Sequence, residues 1–199
     1  MNVQYPLKDV KRRAPFVSFA EAVLPEALCD ELIARIEEEK PAAAPIIIGG
    51  REIMEPGVRN NERVIFDDPE LAARLYARTL AALPERLHDG VMCGLNERFR
   101  GYRYRRGQRF APHFDGSYFR PNTGVFAEGS QLSILFYLNS DFSGGETNLI
   151  DYEVVVQPRR GSMLAFEHRM LHEGCAVRAG TKYVLRTDAM YRFSTVSDA

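Results

Sequence analysis

Short runs of β-type residues follow one another through the second half of the chain, and this pattern constrains the fold more than any other feature. Glycines separate the runs, as is typical of turns and bulges between strands. Many short strands joined by glycine-rich turns favour a sandwich or a barrel. We therefore predict an α+β, mainly β fold, a double-stranded β-helix or jelly roll. The predicted strands are 98–104, 109–113, 131–139, 153–157, 162–166 and 182–191.

Two helices are predicted ahead of these strands, and they are expected to pack on one sheet as a support layer. Apolar residues recur at helical spacing after Pro25, and this first helix is expected to end near Pro41. Asp68 and Pro69 have the order of an N-cap and a first-turn proline before a second amphipathic segment. Residues 41–62 between the helices predict a strand followed by a mobile loop.

No internal repeat or low-complexity tract divides the 199 residues. The length and a hydrophobic fraction of 45% are ordinary for one globular domain. We therefore predict a single domain over 1–199. Residues 1–94 are expected to form the helical support and an entrance loop, and residues 95–193 the jelly-roll core.

The charge balance argues against nucleic acid as the main ligand. Lysine and arginine total 26 against 27 acidic residues, so no global basic field exists. The basic and aromatic residues of 102–110 alternate, which fits base stacking but also a half-buried strand, the interpretation we prefer. Three cysteines without a CxxC pair and no apolar stretch of signal-peptide or membrane-spanning length favour a cytoplasmic protein with no membrane partner. The sequence does not indicate an oligomeric state.

His113 and Asp115 are the first candidate metal ligands. In a strand, residues i and i+2 point to the same side, so both side chains can face the interior of a barrel. The pair alone is weak evidence, because a chance match is common at this composition. A second histidine would complete a 2-His-1-carboxylate site for Fe(II) that leaves coordination positions open.

The segment around this pair resembles a known family. Tyr104 to Asp115 reads Y-R-R-G-Q-R-F-A-P-H-F-D and is similar to the Y-x-x-G-x-x-[YF]-x-x-H-x-D segment of the prolyl 4-hydroxylase-like Fe(II)/2-oxoglutarate dioxygenases. Further motifs follow in the family's order, and the resemblance covers residues of about 100 to 192. These motifs are at 135–139, 141, 144–147, 158, 161, 172–177 and 180–183.

The resemblance implies an oxidoreductase that uses Fe(II), 2-oxoglutarate and O2, with ascorbate as a supporting reductant. His113, Asp115 and His172 would hold the iron. His172 is preferred over His168 because it precedes Lys182 by ten residues, the spacing that the family uses between its distal histidine and its basic co-substrate anchor.

The distal carboxylate of 2-oxoglutarate needs a cation and hydrogen-bond donors once it is buried. The resemblance implies Lys182 for the cation and Tyr104 and Tyr137 for the donors. Arg186 shares a strand face with Lys182 and is a rival anchor. A solvated lysine at the strand edge is the alternative for Lys182 if the metal ligands are absent.

Arg59, Arg63 and Ser117 are candidate substrate-contacting residues in the loops before and after the first metal ligands. The resemblance favours a prolyl residue of a peptide or protein as the substrate. A free amino acid or another small molecule is an alternative. A jelly-roll module that binds metal without turnover and a cupin-like enzyme without 2-oxoglutarate also stay open.

Overall fold

The computed structural model describes residues 14–121 and 126–194, so residues 1–13, where the sequence predicts no signal peptide, lie outside the described part. The chain is mainly β. Its helices are α1 (Glu26–Glu38) and α2 (Pro69–Thr79), with 3-10 turns at Leu80–Ala82 and Ile150–Tyr152. No helix among the described residues is both long and apolar enough to span a membrane.

The strands, in chain order, are β1 (Val17–Ala20), β2 (Ala42–Ala43), β3 (Ile46–Ile48), β4 (Arg51–Ile53), β5 (Glu62–Asp67), β6 (Arg86–Leu87), β7 (Gly90–Leu95), β8 (Arg98–Tyr104), β9 (Phe110–His113), β10 (Phe119–Arg120), β11 (Phe126–Tyr137), β12 (Ser143–Gly144), β13 (Thr147–Leu149), β14 (Val154–Val156), β15 (Met163–Glu167), β16 (His172–Gly174), β17 (Val177–Ala179) and β18 (Lys182–Ser194).

Two antiparallel sheets form the body of the fold. The larger sheet has the order β1-β15-β11-β18-β8-β5-β2, and the smaller has the order β14-β13-β16-β9. Apolar side chains from both sheets share one cluster, which includes Tyr104, Leu149, Phe166 and Val184. The predicted jelly roll is therefore confirmed, and the interior between its sheets is where the predicted site residues lie.

The two helices support the outer face of the larger sheet, as predicted. Leu32 and Ile36 of α1 and Leu75 of α2 belong to the larger hydrophobic cluster, together with the sheet residue Phe99. Gly101 on β8 permits this packing, because a Cβ atom there would lie 2.5 Å from the Ile36 Cγ1 atom. Close helix packing on this face fixes the strand whose opposite face carries Tyr102 and Tyr104.

The start of α2 is confirmed in detail. Pro69 is the first helical residue, and the Asp68 carboxylate accepts a hydrogen bond of 2.9 Å from the backbone N–H of Leu71. A capping side chain of this kind stabilises a helix by about 1 kcal/mol. The cap therefore fixes the chain direction just after β5 leaves the larger sheet.

The region before residue 95 contains more strand than the sequence predicts. β5 extends the larger sheet by pairing with β8, and β7 pairs with β18. In β5 Val64 and Phe66 are buried, and the exposed residues Ile65 and Asp67 alternate with them. The predicted strand and loop cover 41–62, so only the first residue of β5 falls within them. The region before residue 95 therefore contains strands beyond the one predicted within 41–62, because pairing with β8 rather than local propensity makes β5 a strand.

Candidate active site

His113, Asp115 and His172 meet in the interior of the jelly roll. His113 ends β9 and pairs directly with His172, the first residue of β16. The Nε2 atoms of His113 and His172 lie 3.8 Å and 3.5 Å from the Asp115 carboxylate oxygens. All three ligand atoms lie within 4.8 Å of one another, close enough to hold one metal ion. Register between two strands thus brings together residues that are 59 positions apart in the sequence.

Backbone contacts orient both imidazoles. The Nδ1 atom of His113 lies 2.8 Å from the carbonyl oxygen of Ala111, and that of His172 lies 2.9 Å from the carbonyl oxygen of Met170. An Nδ1–H group that donates to a carbonyl leaves the Nε2 lone pair free for a metal. Both Nε2 atoms face Asp115, so the donor set is two neutral ring nitrogens and one carboxylate.

Burial and charge keep these three groups in the protonation states that ligands need. Burial lowers the pKa of His113 to about 4, and it also lowers the pKa of His172. Burial would raise the pKa of Asp115, but Arg186 and the two histidines outweigh it and the pKa is lowered. At neutral pH the imidazoles are therefore neutral and the carboxylate is ionised, as metal binding requires.

Ser133 contacts the Asp115 carboxylate directly, and His168 contacts Ser133. The Ser133 hydroxyl donates to an Asp115 carboxylate oxygen at 2.5 Å, and the Nδ1 atom of His168 lies 2.9 Å from the same hydroxyl. The other His168 ring nitrogen contacts the Ser130 hydroxyl at 2.8 Å. His168 is thus a buried structural residue outside the cluster of metal-binding groups, which fits the preference for His172.

Lys182 lies in the same pocket as the two histidines and is fully enclosed. Its Nζ donates to the carbonyl oxygen of Gly145 at 2.6 Å and stands 5.2 Å and 5.5 Å from the ring centres of Tyr104 and Tyr137. No carboxylate lies within ion-pair distance of it in the described part of the chain. Burial lowers the pKa of Lys182 to about 8. A buried cation without a counter-charge is a favourable partner for a ligand carboxylate.

Arg186 occupies a different part of the site from Lys182. Its Nη2 lies 3.2 Å from an Asp115 oxygen and 3.0 Å from an Asp188 oxygen. Both cations share one face of β18, but the structure pairs Arg186 with the metal-binding carboxylate. The geometry therefore does not favour Arg186 as the co-substrate anchor.

The structure places the three predicted substrate residues in different settings. Arg59 is buried, with its guanidinium over the rings of Tyr102 and Phe110. Arg63 lies 3.4 Å from Glu52 of the β3–β4 hairpin. Ser117 is exposed and does not line the pocket that holds the histidines. Arg59 and Arg63 do not line that pocket either, but Arg59 contacts its lining residues Tyr102 and Phe110, and Arg63 lies opposite Tyr102 in the sheet.

Sequence reasoning missed several residues of the pocket. Thr147 lines it and accepts a 2.7 Å hydrogen bond from the Tyr137 hydroxyl. Tyr102 and Phe110 form part of its wall, and the Phe110 ring stacks on His113 with centres 3.5 Å apart. Alternation along β8 could have found Tyr102, since it shares a face with Tyr104. Ser133 shares a face with Tyr137 on β11 in the same way.

Residues 99–187 match the family model of the 2OG-Fe(II) oxygenase superfamily. This region holds all three of His113, Asp115 and His172. The part of the chain that carries the site therefore belongs to the 2OG-Fe(II) oxygenase superfamily. Members use Fe(II) with 2-oxoglutarate and O2, and the donor set of two imidazoles and a carboxylate fits Fe(II). A search of curated protein sequences found no significant match.

Solved structures show the same fold at low sequence identity. A viral collagen prolyl hydroxylase from Paramecium Bursaria Chlorella virus-1, in its 2OG complex, superposes with a TM-score of 0.60 at 16% identity, over 94% of this chain and 99% of that chain. A Pseudomonas putida prolyl-4-hydroxylase superposes with a TM-score of 0.59 at 17% identity, over 89% of this chain and 92% of that chain. A Trichoplax adhaerens prolyl hydroxylase in complex with a hypoxia inducible factor peptide superposes with a TM-score of 0.64 at 16% identity, over 89% of this chain and 83% of that chain. At these identities the likeness establishes the fold of this oxygenase.

Proposed function

We propose that this oxygenase hydroxylates a C–H bond, with His113, Asp115 and His172 holding Fe(II) and Lys182 anchoring the distal carboxylate of 2-oxoglutarate. The observation that carries the proposal is the enclosure of a metal-binding cluster and an unpaired cation in one pocket. Tyr104 lies beside Lys182 and supplies a hydroxyl to the same carboxylate. Tyr137 supports that end of the pocket through Thr147.

The metal and the residues around it have separate roles in the proposed reaction. Bound Fe(II) supplies oxygen activation, coupled to conversion of 2-oxoglutarate into succinate and CO2. Lys182 binds and orients the dicarboxylate, since a charge-assisted hydrogen bond in a buried site fixes both position and direction. Phe110, Leu135 and Val184 line the pocket with apolar surface and exclude water from it. Arg186 keeps the Asp115 carboxylate ionised and in place.

A prolyl residue of a peptide or protein is the substrate that we propose first. Its support is the fold shared with proteins whose names describe collagen prolyl hydroxylase and prolyl-4-hydroxylase activity. A free amino acid or another small molecule is the second candidate, because one scaffold hosts many substrates. Ascorbate is proposed as a reductant that sustains turnover.

The first test follows visible absorbance under anaerobic conditions as Fe(II) and then 2-oxoglutarate are added. A metal-to-ligand charge-transfer band is expected in the native chain, lost in His172→Ala and weakened in Lys182→Ala. His88→Ala is the matched control, because His88 is a surface histidine that contacts Glu167. Absence of the band in folded native protein would contradict the proposed cofactor assignment.

Aerobic turnover separates the remaining alternatives. Formation of succinate from 2-oxoglutarate is expected, together with hydroxylation of a proline-containing peptide. The charge-transfer band without succinate would identify a metal-binding module that lacks turnover. If Lys182→Ala hydroxylates the peptide as fast as the native chain does, the result would instead favour a cupin-like enzyme that does not use 2-oxoglutarate.

A further inference from the structure

Three arginines, Arg59, Arg63 and Arg100, stand around Tyr102, and we call them the basic wall. Register places two of them on the interior face of the larger sheet. Arg63 of β5 lies opposite Tyr102, and Arg100 lies opposite Arg186 of β18. Arg59 reaches the same tyrosine from the chain that bridges to Phe110 of β9. The basic wall therefore borders the pocket on the side away from Lys182.

Arg59 is a buried cation without a counter-charge. Its exposed fraction is 5%, its Nε donates to the Asn61 side chain at 2.8 Å, and its Nη2 is buried without a hydrogen-bond partner. No carboxylate forms an ion pair with it within residues 14–121 and 126–194. Its guanidinium contacts Tyr102 and Phe110, which line the pocket. An isolated buried charge is expensive, so a structure that keeps one implies an anion that arrives later.

The other two members of the basic wall have only weak partners. The Arg100 Nη1 atom lies 3.5 Å from Asp188, which is also paired with Arg186, and this nitrogen makes no hydrogen bond. The carboxylate that Arg63 meets at 3.4 Å belongs to Glu52, whose side chain is 66% exposed. Arg100 also lies directly opposite Arg186, and like charges in such a pair repel. The wall therefore has more positive charge than its neighbours neutralise.

The local potential at Tyr102 agrees with this geometry. Burial raises the pKa of a tyrosine, yet Arg59, Arg186 and Arg100 together lower the pKa of Tyr102. The acids nearest to the wall are already committed, since Asp115 is assigned to the metal and Asp188 bridges two arginines. An excess of positive charge beside the reacting centre remains.

We propose that the basic wall, together with the Tyr102 hydroxyl, binds a carboxylate of the substrate and makes the oxygenase selective for acidic substrates. This inference rests on the proposed function. The carboxylate is that of a free amino acid or an acidic side chain next to a prolyl residue. In either case the anion holds the substrate at the pocket wall opposite Lys182.

The wall is separate from the proposed 2-oxoglutarate anchor. Lys182 and Arg186 are four residues apart on β18, which corresponds to about 13 Å along a strand. Tyr102 lies opposite Val184, between these two cations, while Tyr104 lies opposite Lys182. A substrate carboxylate and the co-substrate carboxylate thus have distinct cations, so variants can separate their effects.

The test compares acids with their matched carboxamides on the protein loaded with Fe(II) and 2-oxoglutarate. The probes are L-proline against L-prolinamide, and the peptide Ac-Ala-Pro-Asp-NH2 against Ac-Ala-Pro-Asn-NH2. Binding is measured anaerobically as perturbation of the charge-transfer band, and turnover aerobically as succinate formation stimulated by each probe. At least one acid is expected to bind about tenfold or more tightly than its amide, the scale of a hydrogen bond to a charged group. The pair that discriminates identifies the source of the carboxylate.

Arg59→Gln and Arg100→Gln are expected to remove that preference while leaving the 2-oxoglutarate affinity unchanged. Two independent positions protect the test against a variant that fails to fold. Arg98→Gln is the control, because Arg98 is on the same strand but forms an exposed ion pair with Asp67. Its preference for the acid should equal that of the native chain.

Three results would overturn the proposal. The first is that no acid binds more tightly than its amide. The second is that the preference survives in both wall variants. The third is that these variants lower the affinity for 2-oxoglutarate as much as the affinity for the acid, which would assign the basic wall to the co-substrate. Failure of the proposed function is distinct, because the charge-transfer band itself would then be absent before any probe is added.

Discussion

Lys182 and Arg186 are two buried cations on the same face of β18, and their surroundings differ sharply. Arg186 has two carboxylate partners, Asp115 and Asp188, which outweigh burial and raise its pKa. Lys182 has a backbone carbonyl and two aromatic rings, and its pKa is lowered to about 8 by burial. Arg186 is neutralised by carboxylates of the protein, whereas Lys182 has no carboxylate partner among the described residues, as the proposed ligand role requires.

This difference separates structural charge from functional charge. A buried ion pair is strongly destabilised when one partner is removed, because the other charge is left uncompensated. A buried cation with no partner already carries that penalty in the free protein. Removal of Arg186 should therefore damage stability, whereas removal of Lys182 should damage ligand binding.

The largest effect is expected for Arg186→Met. The change leaves Asp115 and Asp188 without their shared cation, and we expect the free energy of unfolding to fall by about 3–5 kcal/mol. Urea denaturation of metal-free protein measures this. Arg98→Met, which breaks an exposed pair with Asp67, is the control and should change stability by no more than about 1 kcal/mol. Equal losses in the two variants would contradict the role assigned to Arg186.

Lys182→Met should show the opposite division of effects. We expect 2-oxoglutarate affinity, measured by the charge-transfer band, to fall by roughly ten- to a hundredfold, as for loss of a hydrogen bond between charged groups. Stability without ligand should be unchanged or higher, since methionine removes a desolvated charge but fills similar space. A variant that unfolds easily yet binds 2-oxoglutarate normally would reverse the comparison.

The lowered pKa of Lys182 predicts a pH dependence with a definite sign. Below about pH 8 the amine is protonated and attracts the dicarboxylate. Above that value we expect 2-oxoglutarate affinity to fall as the amine loses its proton. In the ligand-free protein the unfolded chain binds more protons than the folded chain from about pH 8 up to the ordinary lysine pKa, so this group makes stability rise with pH there.

Lys182→Arg is the control for that titration. A guanidinium keeps its charge across this range, so 2-oxoglutarate affinity should stay flat where the native chain declines. The same decline in both proteins would assign the titration to another group. The measurement is the midpoint of the charge-transfer titration at a series of pH values.

The sequence alone predicted the fold and the same-side placement of His113 and Asp115, because both depend on local patterns. Strand alternation places His113 and Asp115 on one side, and the observed β8 has the bounds predicted for it, 98–104. The pairing of His113 with His172 is a register between distant strands, and only the family resemblance suggested it. Local patterns therefore located the strands, while the assembly of the cluster needed more.

What the sequence could not give depends on contacts made across the fold. Lys182 and Arg186 look equivalent by strand alternation, and only the positions of Asp115 and Asp188 distinguish them. Thr147 was missed as a pocket residue because its partner, Tyr137, lies on another strand. Ser133 was missed for the same reason, since its importance comes from Asp115 and His168.

The smallest effect is expected for Tyr137→Phe, which refines the view of the Lys182 environment. The Tyr137 hydroxyl donates to Thr147, and its ring stands beside Lys182. This hydroxyl supports the end of the pocket that receives the dicarboxylate, so its loss should lower the affinity for 2-oxoglutarate by about fivefold. That is the scale of one neutral hydrogen bond, about 1 kcal/mol. Tyr183→Phe is the matched control, because the Tyr183 hydroxyl donates to Glu37 on the helical side of the sheet. An equal effect of both changes on 2-oxoglutarate affinity would show that Tyr137 acts through general stability, and would leave Lys182 with Tyr104 as the whole anchor.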